Sequence, residues 1–216
     1  MTEHNFDQMR RAMVASQLRT TGVSDARVVA AMGEVPRERF VPGDRLAMAY
    51  ADAIVPLGNG RELNSPMATG RLLTEAQPGP HDKALVIGAA TGYSAAVLAR
   101  LVGSVVAVEE DAALVAAARA ALGNTSVQLV EAPLSAGYAE AAPYDLILID
   151  GSVEFVPDAI VKQLADGGRL VTAVIEDGVQ RLAIGRRSGS AFGMTAFADV
   201  ASAILPGFQK PRAFTF

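Results

Sequence analysis

Apolar residues along the chain follow two rhythms. In the first 77 positions the pattern is helical, with Phe6, Met9, Met13, Val14 and Leu18 recurring at the spacing of one helix face. Ser24 predicts an N-cap for a helix over 25–32. Ser65-Pro66 reads as an N-cap followed by proline at the first helical position, opening a helix to about residue 76. Between them, Pro56-Leu57-Gly58-Asn59-Gly60-Arg61-Glu62-Leu63-Asn64 reads as a glycine-containing loop.

From Lys83 onward strands and helices alternate. Ala84-Leu85-Val86-Ile87 is a short continuous apolar run, as a parallel strand covered on both faces requires. A helix over 92–101, a strand over 105–108, an Ala-rich helix over 112–122 and strands over 127–130 and 146–149 follow. A helix over 157–164 and a strand over 169–174 continue the alternation. Two further strands, 179–186 and 194–200, are joined by Ser188-Gly189-Ser190 with no helix between them, which predicts an antiparallel hairpin. The fold class is therefore α/β: a Rossmann-like doubly wound sheet with helices on both faces, mostly parallel, with a C-terminal antiparallel hairpin and a helical N-terminal extension. Residues 1–77 form the extension with its loop and 78–216 the sheet domain, expected to fold as one compact unit.

Composition narrows the chemistry. Half of the 216 residues are apolar and 19% charged, enough for a sizeable core. A net charge of −4 without a Lys/Arg cluster argues against a nucleic-acid or anionic-membrane partner. With no cysteine and only His4 and His81, both in stretches expected to be exposed, neither a metal site nor a His-based triad is expected. No apolar run approaches the roughly 20 residues of a membrane span. The first residues lack the apolar core of a signal peptide, so a cytoplasmic location is expected.

The candidate chemistry lies in the first strand–helix turn, Gly88-Ala89-Ala90-Thr91-Gly92-Tyr93. Open α/β sheets bind ligands outside the carboxyl ends of their strands, and small residues there allow close backbone approach. Glu109 ends the second strand 21 positions after Gly88, near the spacing of an acid that holds ribose hydroxyls. An exposed acid opening the next helix, beside Glu110 and Asp111, would look the same. The pair suits either a dinucleotide or S-adenosylmethionine. Ala90 and Tyr93 stand at the second and third positions of the G-x-G-x-x-G pattern, which disfavours a pyrophosphate. The terminal hairpin also favours the methyltransferase variant of the fold.

Several segments together resemble the protein-L-isoaspartate O-methyltransferase family. Val35-Pro36-Arg37-Glu38-Arg39-Phe40-Val41-Pro42 is similar to its V-P-R-x-x-F-V-P segment, and Ala49-Tyr50-Ala51-Asp52 with Pro56-Leu57-Gly58-Asn59-Gly60 to its A-Y-x-D and P-x-G-x-G. The stretch from Gly92-Tyr93 to Leu98-Ala99, then Ala142-Pro143-Tyr144-Asp145 and Gly167-Gly168-Arg169-Leu170-Val171, follow in the family's order. The resemblance implies transfer of a methyl group from S-adenosyl-L-methionine to the carboxylate of an L-isoaspartyl residue in damaged peptides or proteins. It places the cofactor at Gly88, Ala89, Ala90, Gly92, Tyr93, Glu109, Glu110, Ala132 and Pro133, and the acceptor at Asn64 and Ser65; Asp150, where the family usually has small or neutral residues, is added to the cofactor side as an acid that could contact a ligand. An acceptor carboxylate is already ionised near neutral pH, so alignment supplies much of the acceleration.

The chain also departs from the family. Asn64 stands where the family's T-I-S-x-P has its serine, with Glu62 beside it. Val86 replaces an acid, Ala90 a glycine, and Ala132-Pro133-Leu134 a G-D-G. Each lost hydrogen bond costs about 0.5–1.5 kcal/mol, so several weaken a ligand roughly tenfold to several hundredfold. Two other readings follow: a non-catalytic binding protein on the same fold, or a methyltransferase with another acceptor, for which Glu62 and Asp150 speak. Arg37 and Arg61 are expected at the surface, although either could meet an acceptor carboxylate. Phe214 and Phe216 are expected to pack on the domain rather than meet a partner.

Overall fold

The computed structural model describes residues 5–210. The chain enters through α1 (Phe6–Met13), which widens into a π-helical stretch over Val14–Leu18, and α2 (Ala26–Glu34) follows. Met13 and Leu18 are buried, with Phe6, Met9 and Val14 packed against the same core, so the helical spacing marks one apolar stripe. The cap of α2 is Asp25 rather than Ser24: its carboxylate accepts the Arg27 N–H at 2.8 Å. A negative charge at that end also meets the positive end of the helix dipole.

Two 3₁₀ turns (Arg37–Phe40 and Gly43–Met48) lead to a hairpin where the sequence reads as loop. Its strands, β1 (Val55–Gly58) and β2 (Arg61–Leu63), pair antiparallel with Val55 opposite Leu63. Strands of four and three residues are too short to show an alternation. Gly58, Asn59 and Gly60 turn the chain at φ 98°, 51° and 72°, a left-handed run that two glycines make cheap. Next, α3 (Pro66–Ala76) starts where expected, with the Ser65 hydroxyl accepting the Ala68 N–H at 3.2 Å.

The main sheet is built from β3 (Lys83–Ile87), β4 (Ser104–Glu109), β5 (Val127–Glu131), β6 (Tyr144–Val153), β7 (Leu164–Glu176), β8 (Val179–Ser188) and β9 (Ala191–Asp199). Their spatial order is β5-β4-β3-β6-β7-β8-β9. The first five run parallel, and β8 and β9 add antiparallel, as the predicted hairpin requires. The helix after β4, α5 (Ala112–Leu122), has its predicted bounds. Both α4 (Tyr93–Leu98) and α6 (Asp158–Val161) are shorter than predicted, and β6 and β7 are longer.

Helices do not cover the two faces equally. On one face α2, α3, α4 and α5 bury Met32, Leu72, Val97 and Ala118 against Val86, Leu146, Leu148 and Val171. The N-terminal extension shares this core through Met13, Val28 and Leu63. The other face carries Leu85, Ile87, Val106, Val108, Ile147 and Ile149. Between β5 and β6 only the 3₁₀ turns Leu134–Ala136 and Ala139–Ala141 cross it, and α6 has four residues. Pro133, Gly137 and Pro143 interrupt that connection too often for a longer helix. The missing cover comes from segment 200–208, whose Leu205 and Phe208 are buried against this face. The segment is tied to the extended β6: Ser152 N–H donates to the Ala203 carbonyl at 2.6 Å, Leu205 N–H to the Ser152 carbonyl at 3.0 Å, and Glu154 N–H to the Phe208 carbonyl at 3.1 Å. Among the described residues no helix is long and apolar enough to cross a membrane.

Candidate active site

The chain leaves β3 toward β4 on one side and returns to its other side as β6, so the carboxyl ends of β3 and β6 bound the crevice at which such sheets bind ligands. The turn after β3 places Gly88, Ala90 and Gly92 at φ 78°, 50° and 97°. Ala90 is the one non-glycine among the three, and a left-handed alanine costs about 1–2 kcal/mol. Gly88 and Ala89 donate their N–H groups to the Val108 carbonyl at 3.0 and 2.9 Å, while the Thr91 hydroxyl donates to the Phe40 carbonyl at 2.6 Å. All of residues 88–93 are buried, Tyr93 included, whose ring lies under the Arg37 guanidinium at 4.5 Å.

Glu109 sits at the end of β4 beside this turn, as its spacing predicts, and is fully buried. Both of its oxygens are engaged. Arg61 on β2 meets it with two nitrogens, Nη1 on Oε1 and Nη2 on Oε2 at 2.9 Å. The backbone N–H of Ala90 donates to Oε2 at 2.7 Å, and those of Glu110 and Asp111 donate to Oε1 at 2.9 and 3.1 Å. A carboxylate offers about four acceptor positions, and five donors fill them. The hairpin brings Arg61 here because its turn is fastened to α5, Asn59 donating to the Asp111 carboxylate at 3.1 Å.

A second cluster surrounds Asp150, buried on β6. The Ser94 hydroxyl donates to its Oδ2 at 2.5 Å and the Asn64 amide to its Oδ1 at 2.8 Å. Burial pushes the Asp150 carboxyl above the usual carboxylate range, against the opposing pull of these hydrogen bonds and of the Arg37 and Arg61 charges. The Asn64 carbonyl oxygen accepts from the Ser202 hydroxyl and the Ala203 N–H, both at 2.7 Å. A serine hydroxyl would have to make these contacts from one atom, whereas the longer amide donates and accepts at separate atoms. Asn64 thus joins Asp150 to segment 200–208.

That segment closes the crevice. A Cβ on Gly88 would lie 2.8 Å from Leu205 Cδ2, and one on Gly151 would lie 2.5 Å from Leu205 Cγ. The room left by two glycines at the ends of β3 and β6 is filled by one leucine side chain.

The remaining predicted positions are placed as follows. Ser65 is buried and its hydroxyl caps α3. Glu62 is half-buried between the buried Arg61 and Leu63 on β2. Glu110 is exposed and accepts the Leu134 N–H at 3.3 Å; Ala132 donates its N–H to the Glu109 carbonyl at 3.1 Å, and Pro133 is exposed beside it. Arg37 and Arg61 are both buried, contrary to the surface expectation. Arg37 is held by the carbonyls of Ala49 at 2.8 Å and Asn64 at 2.5 Å, and Arg61 by Glu109. His81 is exposed as expected and Phe208 is buried, whereas His4, Phe214 and Phe216 lie outside the described residues. Sequence reasoning missed Ser94, Ser202 and Leu205; for Ser94 a signal existed, since it follows the glycine turn by two positions.

A parallel sheet with this strand order, a glycine turn at the switch point and an acid ending the next strand define a Rossmann-like methyltransferase fold. The family model for Protein-L-isoaspartate(D-aspartate) O-methyltransferase (PCMT) matches residues 9–203. A protein-L-isoaspartate O-methyltransferase of Methanoregula boonei is 40% identical over 186 residues, covering 85% of this chain and 86% of its own length. One from Methylorubrum populi is 41% identical over 178 residues, covering 82% and 84%. The chain belongs to the protein-L-isoaspartate O-methyltransferase family. A solved protein-L-isoaspartate O-methyltransferase superposes with a TM-score of 0.80 at 25% identity, over 92% of this chain and 66% of that longer one. A Plasmodium falciparum structure of the same name, in complex with S-adenosyl-L-homocysteine, has a TM-score of 0.78 at 18% identity and shares the fold.

The family is S-adenosyl-L-methionine-dependent. In this structure the crevice does not fit that group. The acid at the ribose position is saturated by Arg61, and the space over Gly88 is taken by Leu205.

Proposed function

We propose that this chain is an enzyme of its family's kind, methylating the carboxylate of L-isoaspartyl residues in damaged proteins with S-adenosyl-L-methionine as the donor. The observation that carries this is the match over residues 9–203, with about two fifths of positions identical to relatives of nearly the same length. The site residues keep their assignments within the reading. Glu109 is the acid for ribose hydroxyls, the 88–93 turn with Glu110, Ala132, Pro133 and Asp150 surrounds the cofactor, and Asn64 and Ser65 face the acceptor. Each of these assignments requires the internal bonds of Glu109 and Asn64 to be exchanged for bonds to ligand.

The test is methyl incorporation into an isoaspartyl peptide and into its aspartyl counterpart. A base-labile methyl ester on the first peptide and not the second is the expected result. S-adenosyl-L-homocysteine binding without incorporation into either would remove the acceptor assignment.

A second reading, a binding protein that keeps the fold without turnover, is favoured by the Arg61–Glu109 pair, which satisfies the acid without a ligand. It predicts neither incorporation nor nucleoside binding in a folded protein. A methyltransferase with another acceptor is the third reading; Asp150, one of the two acids that favour it, is already engaged by Ser94 and Asn64.

A further inference from the structure

We propose that segment 200–208 is an internal occupant of the nucleoside crevice, and that a nucleoside ligand enters only when Leu205 leaves. The inference rests on the family's nucleoside cofactor but not on the identity of the acceptor.

Three features of the segment carry it, the last two sharing its contacts with Asn64. First, Leu205 takes the space beside both Gly88 and Gly151, where a Cβ would lie 2.8 and 2.5 Å from its side chain. Glycine at these two positions gives a ligand room, and here the room is used by the chain itself. Second, the segment is anchored through exchangeable polar contacts. Ser202 and Ala203 hold the Asn64 carbonyl oxygen, Ser202 N–H donates to Gln180 Oε1 at 2.9 Å, and Gln180 Nε2 donates to the Ser202 carbonyl at 3.0 Å. Third, Asn64 is the residue aligned with the family's acceptor serine, so the same amide that is to meet substrate now holds the segment down. Acceptor binding at Asn64 and departure of the segment are therefore linked: the amide oxygen cannot serve both.

Arg61 closes the opposite end of the crevice on Glu109. The two closures differ in kind. Arg61 is a bidentate buried ion pair, whereas the segment is a stretch without helix or strand apart from the single bridge of Ile204 to Ser152. Stretches with few ladder hydrogen bonds open at lower free energy than the strands beside them. The segment is the part that leaves first, and Glu109 then exchanges Arg61 for the ligand's ribose.

The experiment is calorimetric titration of S-adenosyl-L-homocysteine into the intact chain and into Leu205→Ala and Gln180→Ala. The first variant empties the crevice. The second loosens the anchor while leaving the core side chain in place, and serves where the first does not fold. Circular dichroism establishes folding before titration. At least tenfold tighter binding by a folded variant than by the intact chain is expected, including the case in which the intact chain shows no heat at all. Folded variants that bind no more tightly than the intact chain, whether all bind or none does, overturn the proposal. Tighter binding without isoaspartyl methylation leaves the occupant in place and removes only the proposed acceptor.

Discussion

Asp150 and Asn64 show how a side chain's setting depends on partners far along the chain. The acid at the end of β6 is enclosed, with hydroxyl and amide donors from Ser94 and Asn64. Because burial raises its carboxyl pKa, the native state keeps a proton that the unfolded chain loses near pH 4. Stability contributed by that proton is fully present below the unfolded value and is lost as pH rises through the native one. Asp150→Asn carries no titrating group, so its stability relative to the unsubstituted protein should improve as pH climbs from about 4 to about 8. Urea melts across that range check it, and parallel stability curves for the two proteins would rule it out. Arg61 shows the other limit of sequence reading. Its partner Glu109 lies 48 positions away, and nothing local in Gly60-Arg61-Glu62 announces a buried pair.

At the scale of elements, legibility followed length and capping chemistry. Ser65-Pro66 and Asp111 fixed the starts of α3 and α5, since each cap satisfies backbone donors visible from local sequence alone. The β1–β2 hairpin was read as loop because its pairing depends on register across a turn, not on periodicity. That hairpin acts as an arm that delivers Arg61 to Glu109. Removing one member of a buried pair leaves the other charged and unpaired, which costs about 3–5 kcal/mol. Arg61→Ala is accordingly expected to lose that much in chemical denaturation, against less than about 0.5 kcal/mol for Arg45→Ala, an exposed arginine beside Asp44. Similar small losses for both would show that the pair is weak.

The molecule as a whole is asymmetric about its sheet. The strand pattern made the central sheet and its terminal hairpin legible, because continuous apolar runs and a helix-free turn are local signals. Which face each connection would cover was not, and the second face turned out to be completed by residues that belong to no strand. Phe208 is among the largest fully buried side chains on that side. Phe208→Ala is expected to cost about 3–5 kcal/mol in global stability while far-UV circular dichroism stays near its native value. A loss below about 1 kcal/mol would mean that the second face holds without the segment.

Segment 200–208 follows β9 in the chain, so it leaves the ribosome after every strand of the sheet has emerged. Chains are made at about 5–20 residues per second, and earlier regions begin to fold first. The apolar second face, with Leu85, Ile87 and Ile149, gains the cover of Leu205 and Phe208 only once that late segment docks.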